Sequence, residues 1–293
     1  MTVPLTATMQ IPGVPAAPKM TDQMFRSMRE FIYQNTGIFF QDNKKYLLEG
    51  RLGKRLQVLD IDDFDRYLQL VRFGSDRIAE MKFLYDAVTI NETFFFRNEP
   101  QFEAFERTLI PKFVEGKGSG RTRLRVWSAA CSSGEEAYTI AMIYLERLRP
   151  KYPFLDIEII GTDISPSVLD TARSGIYREY SVRNTPRPFL EKYFDEVDGR
   201  FHLSSEVKQL ARFYHMNLYD RPKMRGMGRF DIIFCANVLI YFDQQSKVQV
   251  VSDLYDNLNP GGSLFIGYAE SLHGISSAFK VMNFPKTVAY QKE

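Results

Sequence analysis

The chain has 293 residues, 44% hydrophobic and 25% charged, the proportions of a soluble globular protein that can bury a core without a disulfide scaffold. Its formal net charge of +2, from 38 basic and 36 acidic residues, excludes a global pull toward nucleic acid and leaves electrostatic recognition to local clusters. The two cysteines, Cys131 and Cys235, lie in apolar, strand-like stretches and read as buried free thiols of a reducing, cytoplasmic compartment, while His202, His215 and His273 lack ligand spacing and argue against a metal centre.

Residues 1–20 read as a disordered tail. The first eighteen residues are uncharged but carry Pro4, Pro12, Pro15 and Pro18 and lack a basic start, so they are neither a membrane span nor a secretory signal. Residues 21–90 predict a helical N-terminal domain. Phe25, Met28 and Ile32 share one face; Phe64, Tyr67, Leu68 and Val71 a second; Ile78, Met81, Tyr85 and Val88 a third, with Ser75 placed to cap that last helix. A linker follows over residues 91–120, where Pro100, Pro111 and the run Gly116, Gly118, Gly120 interrupt the pattern.

Residues 121–293 alternate strand and helix: strand 124–127, helix 135–148, strand 157–160, helix 166–173, strand 230–235, helix 245–258, strand 263–268, and a closing hairpin from 279–282 and 288–290. That alternation predicts an α/β domain with a mostly parallel sheet. The stretch 176–215 breaks the alternation, with a helix near 188–194 and strands at 200–203 and 212–215, and reads as an inserted β-subdomain.

Four segments carry candidate chemistry. In Val126–Glu136 a strand runs through small residues into a helix start, which brings backbone N–H groups close to a ligand. It holds one glycine, so it is neither a GxGxxG nor a P-loop, and two glutamates at the helix start favour a ligand with a cationic or hydroxyl-bearing part. The plain alternative is a strand-to-helix turn capped by Ser133, with Glu135 and Glu136 favoured by the helix dipole. Asp163 ends the second strand, where a carboxylate accepts from ribose hydroxyls; it follows Gly134 by 29 residues, later than the roughly 20 of a dinucleotide fold, and it can instead cap the helix after Ser165. Asn217, Asn237 and Tyr241 fall at further predicted strand ends. Asn91–Arg97 sets Asn91, Thr93 and Arg97 beside three consecutive phenylalanines, which must be mostly buried.

These segments together resemble the chemotaxis receptor methyltransferases, the CheR family, from about residue 21 onward. The markers are Asn91–Arg97, the VWSAACSSGEEAYTIA stretch, GTDIS followed by ARSGIY, the Met216–Asn217–Leu218 tripeptide and CANVLIYF. The resemblance implies a class I (Rossmann-like) methyltransferase domain with an inserted β-subdomain, behind an all-α N-terminal domain. It implies S-adenosylmethionine as cofactor, S-adenosylhomocysteine as product, and transfer of methyl to glutamate side chains on the helical bundle of chemoreceptors by a monomeric enzyme. Matched position by position, it places cofactor contacts on Asn91, Thr93, Arg97, Glu136, Asp163, Asn217, Leu218, Ala236 and Asn237. For the transfer itself, Arg97 is expected either to orient the acceptor carboxylate or to close over the cofactor, and Tyr241 to donate a hydrogen bond. The family usually has arginine where this chain has Ala236. The short hairpin connection Asp195–Gly199 also departs from members that dock on a receptor's C-terminal peptide, which speaks against such a tether.

Substrate docking is expected on Lys44, Lys45, Arg51, Lys54 and Arg55, five basic residues against Asp42 and Glu49 within residues 42–55. Lys44, Arg51 and Arg55 share a helical face with Leu48 and Leu52, and a basic strip steers toward an acidic helix. A solvated helix face is the alternative. Two other functions compete: a methyltransferase for another substrate, and a non-catalytic cofactor-binding module of the same fold.

Overall fold

The computed structural model describes residues 18–117 and 120–293. The tail expected over residues 1–20 therefore falls almost wholly outside the described residues. The chain divides into two compact units: one runs to Arg29 and resumes at Gln41–Val88, and the other comprises Glu30–Phe40 and Thr89–Glu293. Helix α1 (Asp22–Thr36) begins in the first and ends in the second. Among the described residues no helix is long and apolar enough to cross a membrane.

In the first unit, α2 (Lys45–Val58), α3 (Phe64–Phe73) and α4 (Arg77–Val88) follow. Helix α3 starts where Asp63 accepts a hydrogen bond from the Asp65 amide, and it buries Phe64, Tyr67, Leu68 and Val71 as their spacing predicts. Of its expected apolar stripe, helix α4 buries only Val88. Ile78 is 74% exposed, Met81 and Tyr85 are half-exposed, and Glu80 and Leu84 point inward beside Val88. Glu80 accepts two hydrogen bonds from Arg55, at 2.9 and 2.7 Å, and one from the Tyr67 hydroxyl at 3.0 Å. The ionic network turns the helix by its charge, which apolar periodicity does not register. Ser75 is not the cap; the helix begins at Arg77, whose amide donates to the Gly74 carbonyl.

The same network corrects the expected basic strip. Leu48 and Leu52 of α2 are fully buried, so the face they share with Arg51 and Arg55 is the interior one. Arg55 is committed to Glu80 and stacks 3.6 Å over Phe83. Arg51 donates to the Val88 carbonyl, and Lys45 pairs with Asp22 at 2.6 Å. Lys54 is exposed and Lys44 half-exposed.

The second unit opens with a helical stretch where a linker was expected. Helix α5 (Glu99–Ala104) continues through a widened turn at Phe105–Leu109 into α6 (Ile110–Glu115). Pro100 sits in the first helical turn, where the missing N–H costs little; Pro111 lies inside the helical stretch, directly after the widened turn at Phe105–Leu109. Then come β1 (Thr122–Ala129), α7 (Glu135–Ile143), β2 (Leu155–Asp163) and α8 (Pro166–Ser174). A small antiparallel sheet follows, from β3 (Ile176–Tyr177), β4 (Phe194–Val197) and β5 (Arg200–Leu203), interleaved with α9 (Glu179–Val182) and α10 (Arg187–Tyr193) and followed by α11 (Ser205–Lys208). The chain closes with β6 (Ala211–His215), α12 (Arg221–Gly226), β7 (Phe230–Cys235), α13 (Gln244–Asp256), β8 (Leu258–Ile266), β9 (Phe279–Phe284) and β10 (Thr287–Lys292).

The main sheet runs β6-β2-β1-β7-β8-β10-β9. Its first five strands are parallel; β10 is antiparallel to both of its neighbours. Strand β7, Phe-Asp-Ile-Ile-Phe-Cys, is buried at every position, the signature of a central parallel strand covered on both faces. The inserted unit is shorter than expected: 211–215 pairs with β2 from Ile159↔Ala211 to Asp163↔His215 and is the edge strand of the main sheet. Strand order reverses between β1 and β7, and in open α/β sheets the crevice at the carboxyl ends there receives the ligand. Both cysteines are buried and free, although Cys131 lies in the loop after β1, not in a strand.

Candidate functional site

The loop after β1 is built for backbone approach. Ala130, Ser132 and Gly134 all have positive φ, at 57°, 49° and 90°. Gly134 is required: a Cβ there would lie 2.9 Å from the Ala172 Cβ and 3.0 Å from the Phe213 ring. It is also the N-cap of α7, with no side-chain capping bond. The Ser133 hydroxyl instead donates to the Glu135 carboxylate, at 2.8 and 3.0 Å, so the expected Ser133 cap is not formed. The Cys131 amide donates to the Thr162 carbonyl at 2.8 Å, which ties this loop to the end of β2.

Asp163, 5% exposed at that strand end, accepts one bond from the Ser132 amide at 2.8 Å and one from the Ser165 amide at 2.9 Å. These two bonds fix the carboxylate plane at the loop. The residue thus combines both readings open to it, an acid at the strand end and a partner for the start of α8.

Glu136 stands in the first turn of α7 and accepts from the Ser128 hydroxyl at 2.6 Å. Burial pushes its carboxyl up to about 7, against the opposing pull of the Ser128 hydrogen bond and the Arg97 charge. A carboxylate in this state gains from an incoming cation, which restores its ionised form. Glu135 is fully buried, accepts from the Ser133 hydroxyl and, unlike Glu136, does not line the cavity at the strand ends.

Further polar groups come from β6, β7 and the segment before α5. Asn217 donates to the Asn35 carbonyl at 2.6 Å and accepts from the Tyr219 amide at 3.0 Å, so it pins the loop after β6 to the end of α1. Asn237 follows β7 in a left-handed conformation, φ 62°, one that asparagine tolerates better than most residues. Tyr241 closes a short helical turn, Leu239–Tyr241, and its carbonyl accepts from the Phe39 amide at 2.9 Å. The Asn91 carbonyl accepts from the Ser132 hydroxyl at 3.2 Å. The Arg97 guanidinium donates to the Glu92 carbonyl and lies 5.6 Å from the Phe94 ring centre. Of the three phenylalanines only Phe95 is fully buried, edge-on to Tyr177 and Phe194; Phe94 and Phe96 are half-exposed, and Phe94 faces the cavity.

One cavity of about 260 Å³ gathers Asn91, Thr93, Arg97, Glu136, Asp163, Asn217, Leu218, Ala236, Asn237 and Tyr241. Every residue assigned from the sequence to cofactor or catalysis lines it. The basic residues of α2 do not. The sequence reading missed Thr36 at the end of α1 and Ile38 just after it, Asn98, and the apolar wall from Met216 and Phe242. Thr36 and Ile38 belong to this unit because Ile38 bridges Phe242, a long-range pairing that carries no local signal. Among the described residues no group of three or more His, Cys, Asp or Glu is placed to hold a metal ion.

The comparisons agree with this geometry. Residues 23–89 match the family model described as CheR methyltransferase, all-alpha domain, and residues 91–288 match CheR methyltransferase, SAM binding domain. Relatives include chemotaxis protein methyltransferase 2 of Vibrio cholerae, 39% identical over 93% of this chain and 94% of that protein. A chemotaxis protein methyltransferase of Borreliella burgdorferi is 34% identical over 86% and 89%, respectively. The cavity's donor set suits S-adenosylmethionine: a fixed carboxylate for hydroxyls at Asp163, an anion in want of a cation at Glu136, and an apolar wall for a base. By sequence, fold and the make-up of this pocket, the chain belongs to the CheR methyltransferase family.

Proposed function

We propose that this protein transfers a methyl group from S-adenosylmethionine to glutamate side-chain carboxylates on the helical bundle of chemoreceptors, forming methyl esters. The observation that carries the proposal is the single cavity at the ends of β1, β2, β6 and β7, where all ten assigned residues meet. Asp163 holds the ribose, and Glu136 holds the cofactor's ammonium. Asn91, Thr93, Arg97, Asn217, Leu218, Ala236 and Asn237 frame the remainder. With Ala236 in place of the family's usual arginine, this chain offers only backbone and a methyl group there.

The bound cofactor supplies an electrophilic methyl on a sulfonium, and the protein's own work is alignment. An acceptor glutamate is ionised at neutral pH, with an ordinary pKa of about 4.3, so no general base is needed. Arg97 and Tyr241 orient the acceptor carboxylate. Neither grips the reacting oxygen with two bonds, because that would weaken the nucleophile. Water exclusion strengthens the attraction between carboxylate and sulfonium, and alignment contributes several kcal/mol.

Receptor docking, in this proposal, rests on Lys54 and Lys44, with Arg51 in support; Arg55 is withdrawn from it. The β4–β5 turn holds two residues, Asp198 and Gly199, with φ of 50° and 67°. So tight a turn supports docking without a C-terminal peptide tether. The deciding experiment incubates the protein with methyl-labelled S-adenosylmethionine and receptor-containing membranes. Base-labile label on the receptor is the expected result. Cofactor binding without transfer marks a non-catalytic module instead, and stable label or label on another molecule marks a different substrate.

A further inference from the structure

The loop that carries Asn237 and Tyr241 is held from outside the cavity by one side chain. The Glu270 carboxylate accepts three backbone hydrogen bonds. One oxygen takes the Asn237 amide at 2.9 Å and the Gly267 amide at 2.6 Å, and the other takes the Ile240 amide at 3.1 Å. Glu270 itself closes a tight turn, its amide donating to the Gly267 carbonyl at 2.9 Å. That turn follows β8 directly, and the end of β8 is anchored by the buried Gln101, whose amide group donates to the Ile266 carbonyl. The two loops touch closely: a Cβ on Gly267 would lie 2.8 Å from both the amide nitrogen and the side-chain oxygen of Asn237. Glu270 does not line the cavity.

We propose that Glu270 is a positioning residue that sets the cofactor-facing and acceptor-facing halves of the site through two different bonds. Its bond to the Asn237 amide holds a left-handed residue at the cavity wall. Its bond to the Ile240 amide holds the turn that ends in Tyr241. A carboxylate suits this task because its two oxygens offer about four acceptor sites and no donor, and charge-assisted bonds to backbone amides are roughly twice as strong as neutral ones. The proposal rests on the cofactor reading of the cavity.

Two substitutions separate the bonds. Glu270→Ala removes both acceptor oxygens and all three bonds. Glu270→Gln keeps one carbonyl oxygen, which is best used facing the two amides of Asn237 and Gly267, and turns its NH2 toward the Ile240 amide, donor against donor. Calorimetry with S-adenosylhomocysteine is run first on the parent chain; no binding there defeats the cofactor reading, not this one. With the parent binding, Glu270→Ala is expected to weaken the product at least tenfold. Glu270→Gln is expected to hold affinity within about threefold while turnover on receptor membranes falls fivefold or more. Leu254→Ala, a fully buried α13 position away from the cavity, serves as the control: it lowers the melting temperature and leaves product affinity unchanged. The proposal is overturned if Glu270→Ala binds product within twofold of the parent, or if affinity and turnover fall together in Glu270→Gln. An affinity loss in Leu254→Ala that matches Glu270→Ala at equal loss of melting temperature overturns it too.

Discussion

Glu136 offers the sharpest test of the site, because the structure sets its binding role against stability. Its carboxyl is pushed up to about 7 from an ordinary 4.5 by burial. At about 1.4 kcal/mol per pH unit, that difference amounts to about 3 kcal/mol, and water in the open cavity reduces it toward 2. The sign follows from proton counting. Between pH 4.5 and 7 the cofactor-free folded protein holds a proton that the unfolded chain releases, so this group's contribution to stability falls as pH rises through that window. The cost is fully present above pH 7 and absent below 4.5. Glu136→Gln removes it, so the variant should be more stable than the parent by about 2 kcal/mol at pH 8 and match it near pH 4.5, measured by urea unfolding without cofactor. Binding runs the other way. A cationic ammonium needs the ionised carboxylate, so parent affinity for S-adenosylhomocysteine should weaken by up to tenfold for each pH unit below 7, with proton release on binding. The Gln variant should bind at least tenfold more weakly at pH 8 and show a flat profile. A variant that keeps the parent's pH-dependent affinity would refute the assignment of Glu136 to the ammonium.

Four further outcomes follow from the structure. Tyr241→Phe should lower turnover tenfold or more, with product affinity within threefold, in a transfer assay paired with calorimetry; turnover within twofold of the parent removes its alignment role. Arg55→Ala leaves Glu80 as a buried, uncompensated charge and should cost the helical unit about 3 kcal/mol in chemical denaturation, whereas Lys54→Glu should leave stability unchanged and slow receptor methylation steeply at low salt. Gly134→Ala meets both a left-handed φ and the Ala172 contact, and should abolish product binding or raise its dissociation constant by an order of magnitude, read by thermal shift with S-adenosylhomocysteine.

Much of the site could be read from the sequence because its residues are tied to strand ends, and strand ends are local signals. The unbroken apolar run of β7 places Asn237, the Ile-Ile-Gly-Thr-Asp sequence places Asp163, and the small residues before Glu135 place the β1 loop. What stayed hidden depends on pairing at long range. Glu270 lies 33 residues from Asn237 and its role is carried by backbone amides, which no side-chain pattern displays. Thr36 ends α1 and Ile38 follows it, and they join the cavity through the Ile38–Phe242 bridge and the neighbouring Asn217–Asn35 and Phe39–Tyr241 bonds. Charge hid two other features. An apolar stripe suggested that Ile78 faced inward, but the Arg55–Glu80–Tyr67 network decided the face of α4. The same network removed Arg55 from a strip that looked solvent-facing on a helical wheel. Pro100 and Pro111 misled for a different reason: Pro100 fits a first turn and Pro111 follows a widened turn, and neither register is visible in the sequence.

Arg97 is the residue whose two roles most need separation. It is assigned to the acceptor carboxylate and to the frame around the cofactor, and its charge also acts on Glu136, pulling that carboxyl down against the effect of burial. Removing the guanidinium therefore does two things. It takes away an orienting group, and it lets Glu136 hold its proton to higher pH, which weakens the grip on the cofactor's ammonium without any lost contact. The two effects differ in pH dependence. In Arg97→Ala, affinity for S-adenosylhomocysteine lost through Glu136 should return as pH rises from 7 to 8.5, because the carboxylate ionises there even without its cationic neighbour. Turnover lost through acceptor alignment should not return. Product affinity that stays equally weak at both pH values means that Arg97 touches the cofactor directly. Full recovery of both affinity and turnover at pH 8.5 means that its whole effect is electrostatic, and that alignment of the acceptor falls to Tyr241 alone.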